Sequence, residues 1–374
     1  MTLKVEVYEK EKVRPSSPTP QTLRYHKLSL LDVLSGPFYA PPHVLFYPSG
    51  AGPRRHDYDE LKESLSKTLS ILYPLAGRLK DGSIIIECND EGADFVRANV
   101  TNYDLGEFLR HPKQEDLRQL LPLDPYPEAI DPAMPMLAVQ VNRFRCGGTA
   151  VGFCTWHGVT DGGGVAGLFN ILAAINRGEG PTDSAGGLVV DVAAIFSPAI
   201  PNISQQAGYR ADQEPVQPIG ASPPSISSDT VWEVDGGEPV TGRSLVGRVV
   251  EAMDKFTSDY VREMQAEGGF LKSVRARRSK ISDYNESEIK ILSSLCKIPF
   301  GEVNFGCGKP VWIGIPQAFL DLALFVDTKD GGVEVWIGLE HEVMCNLYKD
   351  TEFQSYVSSA HVLYESSCCP RSAL

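Results

Sequence analysis

The sequence predicts an α/β protein of two domains, and three observations carry that reading. Its 374 residues exceed the roughly 250–300 at which a single hydrophobic core stops growing. Leu61, Leu65, Leu69 and Leu72 recur at spacings of 4, 4 and 3, which places them on one helix face. Leu137, Val139 and Val141, then Val151, Phe153 and Thr155, alternate as half-buried strands do, on either side of the turn Arg145-Cys146-Gly147-Gly148.

The first helix is expected over Asp59 to Leu72, with Asp57 or Asp59 as its cap and Pro74 and Gly77 as its stop. Residues 11–24, rich in Pro, Ser and Thr, read as an extended lead-in. Ser83 to Cys88 reads as a strand. After the hairpin, Leu168, Ile171, Leu172 and Ile175 share one face of a helix over Val165 to Asn176. Residues 178–244 are dense in Gly, Pro, Ser, Gln and Asp without periodicity, which is uncommon inside a compact domain. They are read as a linker between an N-terminal domain (1–177) and a C-terminal domain (245–374). Val249, Met253, Phe256 and Tyr260 then return to helical spacing. Strands are expected at Val311 to Ile315, Ala323 to Asp327 and Gly332 to Leu339, and a last helix over His341 to Tyr356.

Composition narrows the function. A net charge of -13 repels phosphate backbones, so no nucleic-acid partner is expected. Met1 to Arg14 lacks the apolar core of a secretory signal. The longest apolar runs, Gly187 to Ile200 and Ile315 to Val326, are broken by Asp191 and by Pro316, Gln317 and Asp321. Neither reaches the ~18–20 residues that cross a bilayer. A cytoplasmic protein with no membrane partner is the expectation. The eight cysteines are scattered without a Cys-x-x-Cys pair, which does not suggest a disulfide framework.

The chemistry concentrates in His157-Gly158-Val159-Thr160-Asp161-Gly162-Gly163-Gly164. A histidine at a strand end can project into a cleft, and a neutral imidazole can take a proton from a hydroxyl or amine. Asp161 could orient it or pair structurally. The glycines allow close approach of a ligand or tight packing of the next helix. A lone histidine also serves as an ordinary hydrogen-bonded residue, and the residues alone leave both readings open. Gly162, Gly164 and Gly167 match G-x-G-x-x-G, the dinucleotide fingerprint. The match follows an antiparallel hairpin, though, and Asp191 comes later than the ribose-binding acid should. There is no G-x-S-x-G, P-loop or H-E-x-x-H. His26, His43, His56, His111, His341 and His361 lack metal-ligand spacing. No metal and no resident cofactor are expected.

Four segments in order resemble the plant BAHD acyltransferase family: Tyr73 to Leu79 (YPLAGRL), the H-x-x-x-D of His157 and Asp161 within CGGTAVGFCTWHGVTDGGG, Asn304 to Gly308 (NFGCG) where the family carries D-F-G-W-G, and the ending GLEHEVMCNLYKD. The resemblance implies two chloramphenicol-acetyltransferase-like α/β domains with mixed sheets flanked by helices, the second incomplete here. It implies a monomer of plant specialised metabolism with a channel between the domains and acyl-CoA as co-substrate. The acyl group would pass to an alcohol or amine of a small molecule. His157 would be the general base, with Asp161 orienting it or holding the architecture. Asn304, Phe305, Gly306 and Gly308 would shape the coenzyme A side. Three departures accompany it: the chain is short between residues 178 and 245, Asn304 replaces Asp, and Cys307 replaces Trp. They raise two rivals, a catalytically impaired relative that binds ligands and a nicotinamide-dependent enzyme built on Gly162 to Gly167.

Overall fold

A computed structural model describes residues 2–28, 42–50, 58–80, 85–127 and 131–180, and beyond these mainly 257–266, 291–316, 322–328 and 331–357. The expected linker therefore lies outside the described residues, apart from its first three.

Twelve strands are described: β1 (Val5–Val13), β2 (Tyr25–Lys27), β3 (His43–Tyr47), β4 (Arg78–Leu79), β5 (Ile85–Glu87), β6 (Ala93–Val100), β7 (Leu137–Phe144), β8 (Thr149–Thr155), β9 (Ile291–Ser294), β10 (Trp312–Gly314), β11 (Leu322–Asp327) and β12 (Val333–Gly338). Six form one mixed sheet in the order β1-β6-β7-β8-β3-β10. Only β6 and β7 run parallel in it. The predicted hairpin is β7–β8, with Leu137 opposite Thr155 and Val141 opposite Val151. Both strands are buried almost throughout rather than half-buried. The reason is a second cover: Gly152 lies against the Leu120 carbonyl, and the Cys154 thiol points at the Leu123 carbonyl, 3.9 Å away.

The described helices are α1 (Tyr58–Ile71), α2 (Leu105–Phe108), α3 (Gln114–Gln119), α4 (Gly162–Asn176), α5 (Ser258–Gln265), α6 (His341–Lys349) and α7 (Thr351–Tyr356). Leu61, Leu65 and Leu69 are buried, as their spacing predicts. Helix α1 ends in a 3-10 turn, Tyr73–Ala76, with Pro74 in its first turn. It lies beside α4, where Ser64 donates its hydroxyl to Asn176 Oδ1 at 3.0 Å. The single last helix predicted from its periodicity is two. Asp350 interrupts it and caps α7 by accepting the Phe353 N–H at 2.7 Å. Helix α5 starts at Ser258, capped by Thr257, and contains Tyr260; the other three residues read at helical spacing, Val249, Met253 and Phe256, lie outside the described residues.

A second sheet holds three strands among the described residues, in the order β12-β11-β9. The chain leaves it between β9 and β11 to place β10 at the edge of the first sheet, with Trp312 opposite Phe46. Phe46, Trp312 and Trp336 then stack, centroids 5.3 and 5.8 Å apart, and tie the two sheets together. A third small sheet pairs β2, β5 and β4. Cys88, Cys146, Cys154, Cys296 and Cys307 are reduced thiols. No described helix is long and apolar enough to cross a membrane.

Candidate active site

Strand β8 delivers its end to a turn. Trp156 makes an antiparallel bridge to Tyr39, its N–H bonds the Met136 carbonyl at 2.8 Å, and Val159 N–H returns to the Trp156 carbonyl at 3.1 Å. His157 occupies that turn and keeps part of its surface open. Burial pushes the imidazole below its ordinary pKa; a hydrogen bond with its own backbone and the charge of Asp161 pull the other way. Burial penalises the charged form and so favours the neutral ring, the state that accepts a proton.

Asp161 does something different from His157. Its backbone is extended, and its side chain accepts the Gly164 N–H at 2.8 Å, capping α4. The carboxylate is exposed at the positive end of that helix. The glycines around it have steric reasons. A Cβ on Gly164 would lie 2.0 Å from Thr160 Oγ1. One on Gly162 would lie 3.1 and 3.2 Å from Leu295 and Ile298. Those two residues follow β9, so the start of α4 and the His157 turn sit where the second sheet's chain meets the first. Gly162, Gly164 and Gly167 are all inside α4, behind the antiparallel β7–β8 pair. That is not the strand–turn–helix of a parallel βαβ unit, which the dinucleotide reading requires.

Asn304 to Gly308 lie at the other end of α4. Asn176 Nδ2 donates to the Phe305 carbonyl at 2.7 Å, and Arg177 Nη1 to the Asn304 carbonyl at 2.6 Å. Tyr47 of β3 donates its hydroxyl to the Val303 carbonyl at 3.0 Å. Within the loop, Asn304 Oδ1 accepts the N–H groups of Gly306 and Gly308 at 2.8 and 3.0 Å. Both glycines have positive φ, 94° and 97°, which favours glycine there. Phe305 is buried beside Tyr47. Burial pushes the Cys307 thiol up to about 11. Helix α4 has 15 residues and so spans roughly 22 Å at 1.5 Å per residue. The NFGCG loop is thus anchored a helix length away from Asp161. Arg177 meets Glu179 as well.

The sequence reading passed over two residues that shape the turn. Tyr39 is fixed by its N–H to the Pro125 carbonyl at 3.0 Å and its hydroxyl to the Pro135 carbonyl at 2.9 Å. Trp156 is 3% exposed. An aromatic residue directly before the His was the available signal. Among the described residues, no three His, Cys, Asp or Glu side chains converge as a metal ion would need.

Comparison with known proteins matches this architecture. A family model described as the Transferase family matches residues 3–186 and 243–354. A limonoid 21-O-acetyltransferase of Citrus sinensis is 30% identical, over 93% of this chain and 97% of that protein. The crystal structure of vinorine synthase superimposes with a TM-score of 0.72 at 26% identity, over 95% of this chain and 98% of that one. The F. sporotrichioides TRI101 structure, complexed with coenzyme A and T-2, shares the fold, with a TM-score of 0.58 at 18% identity over 89% of this chain and 98% of that one. The limonoid alignment runs over 424 positions, more than the 374 residues of this chain, so that relative carries residues with no counterpart here.

Proposed function

Because this chain belongs to the plant BAHD acyltransferase family, we propose that it moves an acyl group from acyl-CoA to a hydroxyl of a small plant specialised metabolite, with His157 as general base. The observation that carries the role of His157 is its place: a largely buried imidazole in the turn ending β8, where Leu295 and Ile298 approach the start of α4. The acceptor oxygen attacks the thioester carbonyl carbon while His157 takes the hydroxyl proton. The C–S bond then breaks, and the departing thiolate takes that proton from the imidazolium. No acyl-enzyme forms, so proximity and base catalysis share the acceleration. A hydroxyl is favoured over an amine by the relative's name, an O-acetyltransferase.

Asp161 supports the reaction by starting α4, and the NFGCG loop supports it by tying that helix to β3. Asn304 replaces a charge yet serves as an acceptor for two backbone N–H groups. The test is release of free coenzyme A, followed by mass spectrometry, from pooled acyl-CoAs with pooled plant alcohols and amines. Release that requires both substrates and His157 is expected; release from His157→Ala at the wild-type rate would overturn the assignment.

One observation favours a second reading, a relative that binds acyl-CoA without turning it over. The family match breaks between residues 186 and 243. Tight acyl-CoA binding with no turnover on any acceptor would establish it.

A further inference from the structure

We propose that Trp156 is a positioning residue for His157, its ring forming the platform on which the turn that carries the imidazole is built. This rests on the reading of His157 as the base.

The backbone of Trp156 is fixed on both sides of the turn: the bridge to Tyr39, the N–H to Met136 and the carbonyl to Val159. Its ring lies directly against the turn. A Cβ on Gly158 would fall 2.6 Å from both Cη2 and Cζ2 of the indole and 2.9 Å from Cε2. Gly158 has no positive φ, so glycine stands there for space, not for a left-handed backbone. The two residues that flank His157, Trp156 and Gly158, thus interlock around it.

The indole Nε1 is buried and has no hydrogen-bond partner among the described residues. A buried donor without an acceptor is unfavourable, so the indole is not an anchor through its N–H. What it supplies is ring area against Gly158, where a smaller side chain would open the floor of the His157 turn to water.

The predicted consequence is a link between Trp156 and the titration of His157. The titratable groups nearby are Asp161 on the following turn, Tyr39 beside Trp156, His43 on β3, Cys154 on β8, and Cys296 and Lys297 in the segment facing Gly162. Of these, Asp161 is the one whose charge acts on the imidazole. Opening the floor admits water and weakens the dominant effect, burial. It also loosens the turn's backbone bond, a smaller effect of opposite sign. The net movement is upward.

The experiment is NMR titration of ring-labelled histidine in the full chain, with His157→Ala identifying the signal, alongside Trp156→Ala, Trp156→Phe and Gly158→Ala. Wild-type His157 is expected to titrate below ordinary histidine. Trp156→Ala should move it up by about half a pH unit or more and lower kcat by about 10- to 100-fold, the scale of a misplaced reacting group. Trp156→Phe, whose shorter ring stops short of Gly158, should fall between. A cooperative thermal transition checks that each variant is folded. If Trp156→Ala does not fold, Trp156→Phe and Gly158→Ala decide. Folded variants with unchanged His157 titration and unchanged kcat would overturn the proposal. Wild-type turnover by His157→Ala would instead overturn the base reading, and this inference with it.

Discussion

The Asp161 carboxylate accepts the backbone N–H of Gly164 at 2.8 Å, so the acidic residue four positions after His157 is the cap of the helix that follows. Asparagine caps about as well as aspartate, whereas alanine costs roughly 0.5–2 kcal/mol. Asp161→Asn should therefore keep its melting temperature and its turnover, and Asp161→Ala should melt earlier. Because the charge of Asp161 pulls the His157 pKa up, its removal leaves still more neutral imidazole near pH 7. Loss of turnover in a fully stable Asp161→Asn would give the carboxylate a chemical role.

The loop at the far end of α4 tests the same logic. Asn304 Oδ1 satisfies two backbone N–H groups. Asn304→Asp retains both acceptors and should fold normally. Asn304→Ala leaves both donors without that partner, at about 1–3 kcal/mol for a buried group, and should lower the midpoint of urea unfolding.

Strand β8 is seated by the absence of a side chain. A Cβ on Gly152 would lie 2.2 Å from the Leu120 carbonyl oxygen, a backbone atom that cannot rotate away. Gly152→Ala should destabilise by about 1–3 kcal/mol, the usual range for overpacking, measured by urea unfolding with the slope unchanged.

Glu334 faces Trp312 at the seam between the sheets. Burial pushes its carboxyl up, against the indoles of Trp312 and Trp336, which pull it down. A raised folded pKa gives stability that is present below the unfolded carboxylate value and lost as pH rises through the folded one. Glu334→Gln removes that loss. Its melting temperature should match wild type near pH 4 and exceed it at pH 7; a constant difference across that span would contradict the account.

Much of this was legible in the sequence, for reasons of period. Leu61 to Leu69 and Leu168 to Ile175 face one way only as helices, and the β7–β8 hairpin was legible from its alternation and turn, although both of its faces are covered. Strand β3, a run of five buried residues, carries no period that separates it from other apolar stretches. Strand β1 hides behind alternating charges because it is an edge strand, exposed along most of its length. The pairing of β10 with β3 joins residues over 260 positions apart, and no local pattern encodes that. At the site, His157 stands out by residue type and the capping aspartate by its place before a helix. The role of Trp156 emerges only from the space its ring fills against Gly158.

The most direct test of the central claim is coenzyme A release by the full chain and by His157→Ala, over pH 5–8 with an acyl-CoA and an accepting alcohol. The account predicts release that depends on both substrates, with the acid limb of kcat/KM below the ~6.5 of ordinary histidine and loss of turnover in the folded variant. Turnover by His157→Ala at the wild-type rate would contradict it.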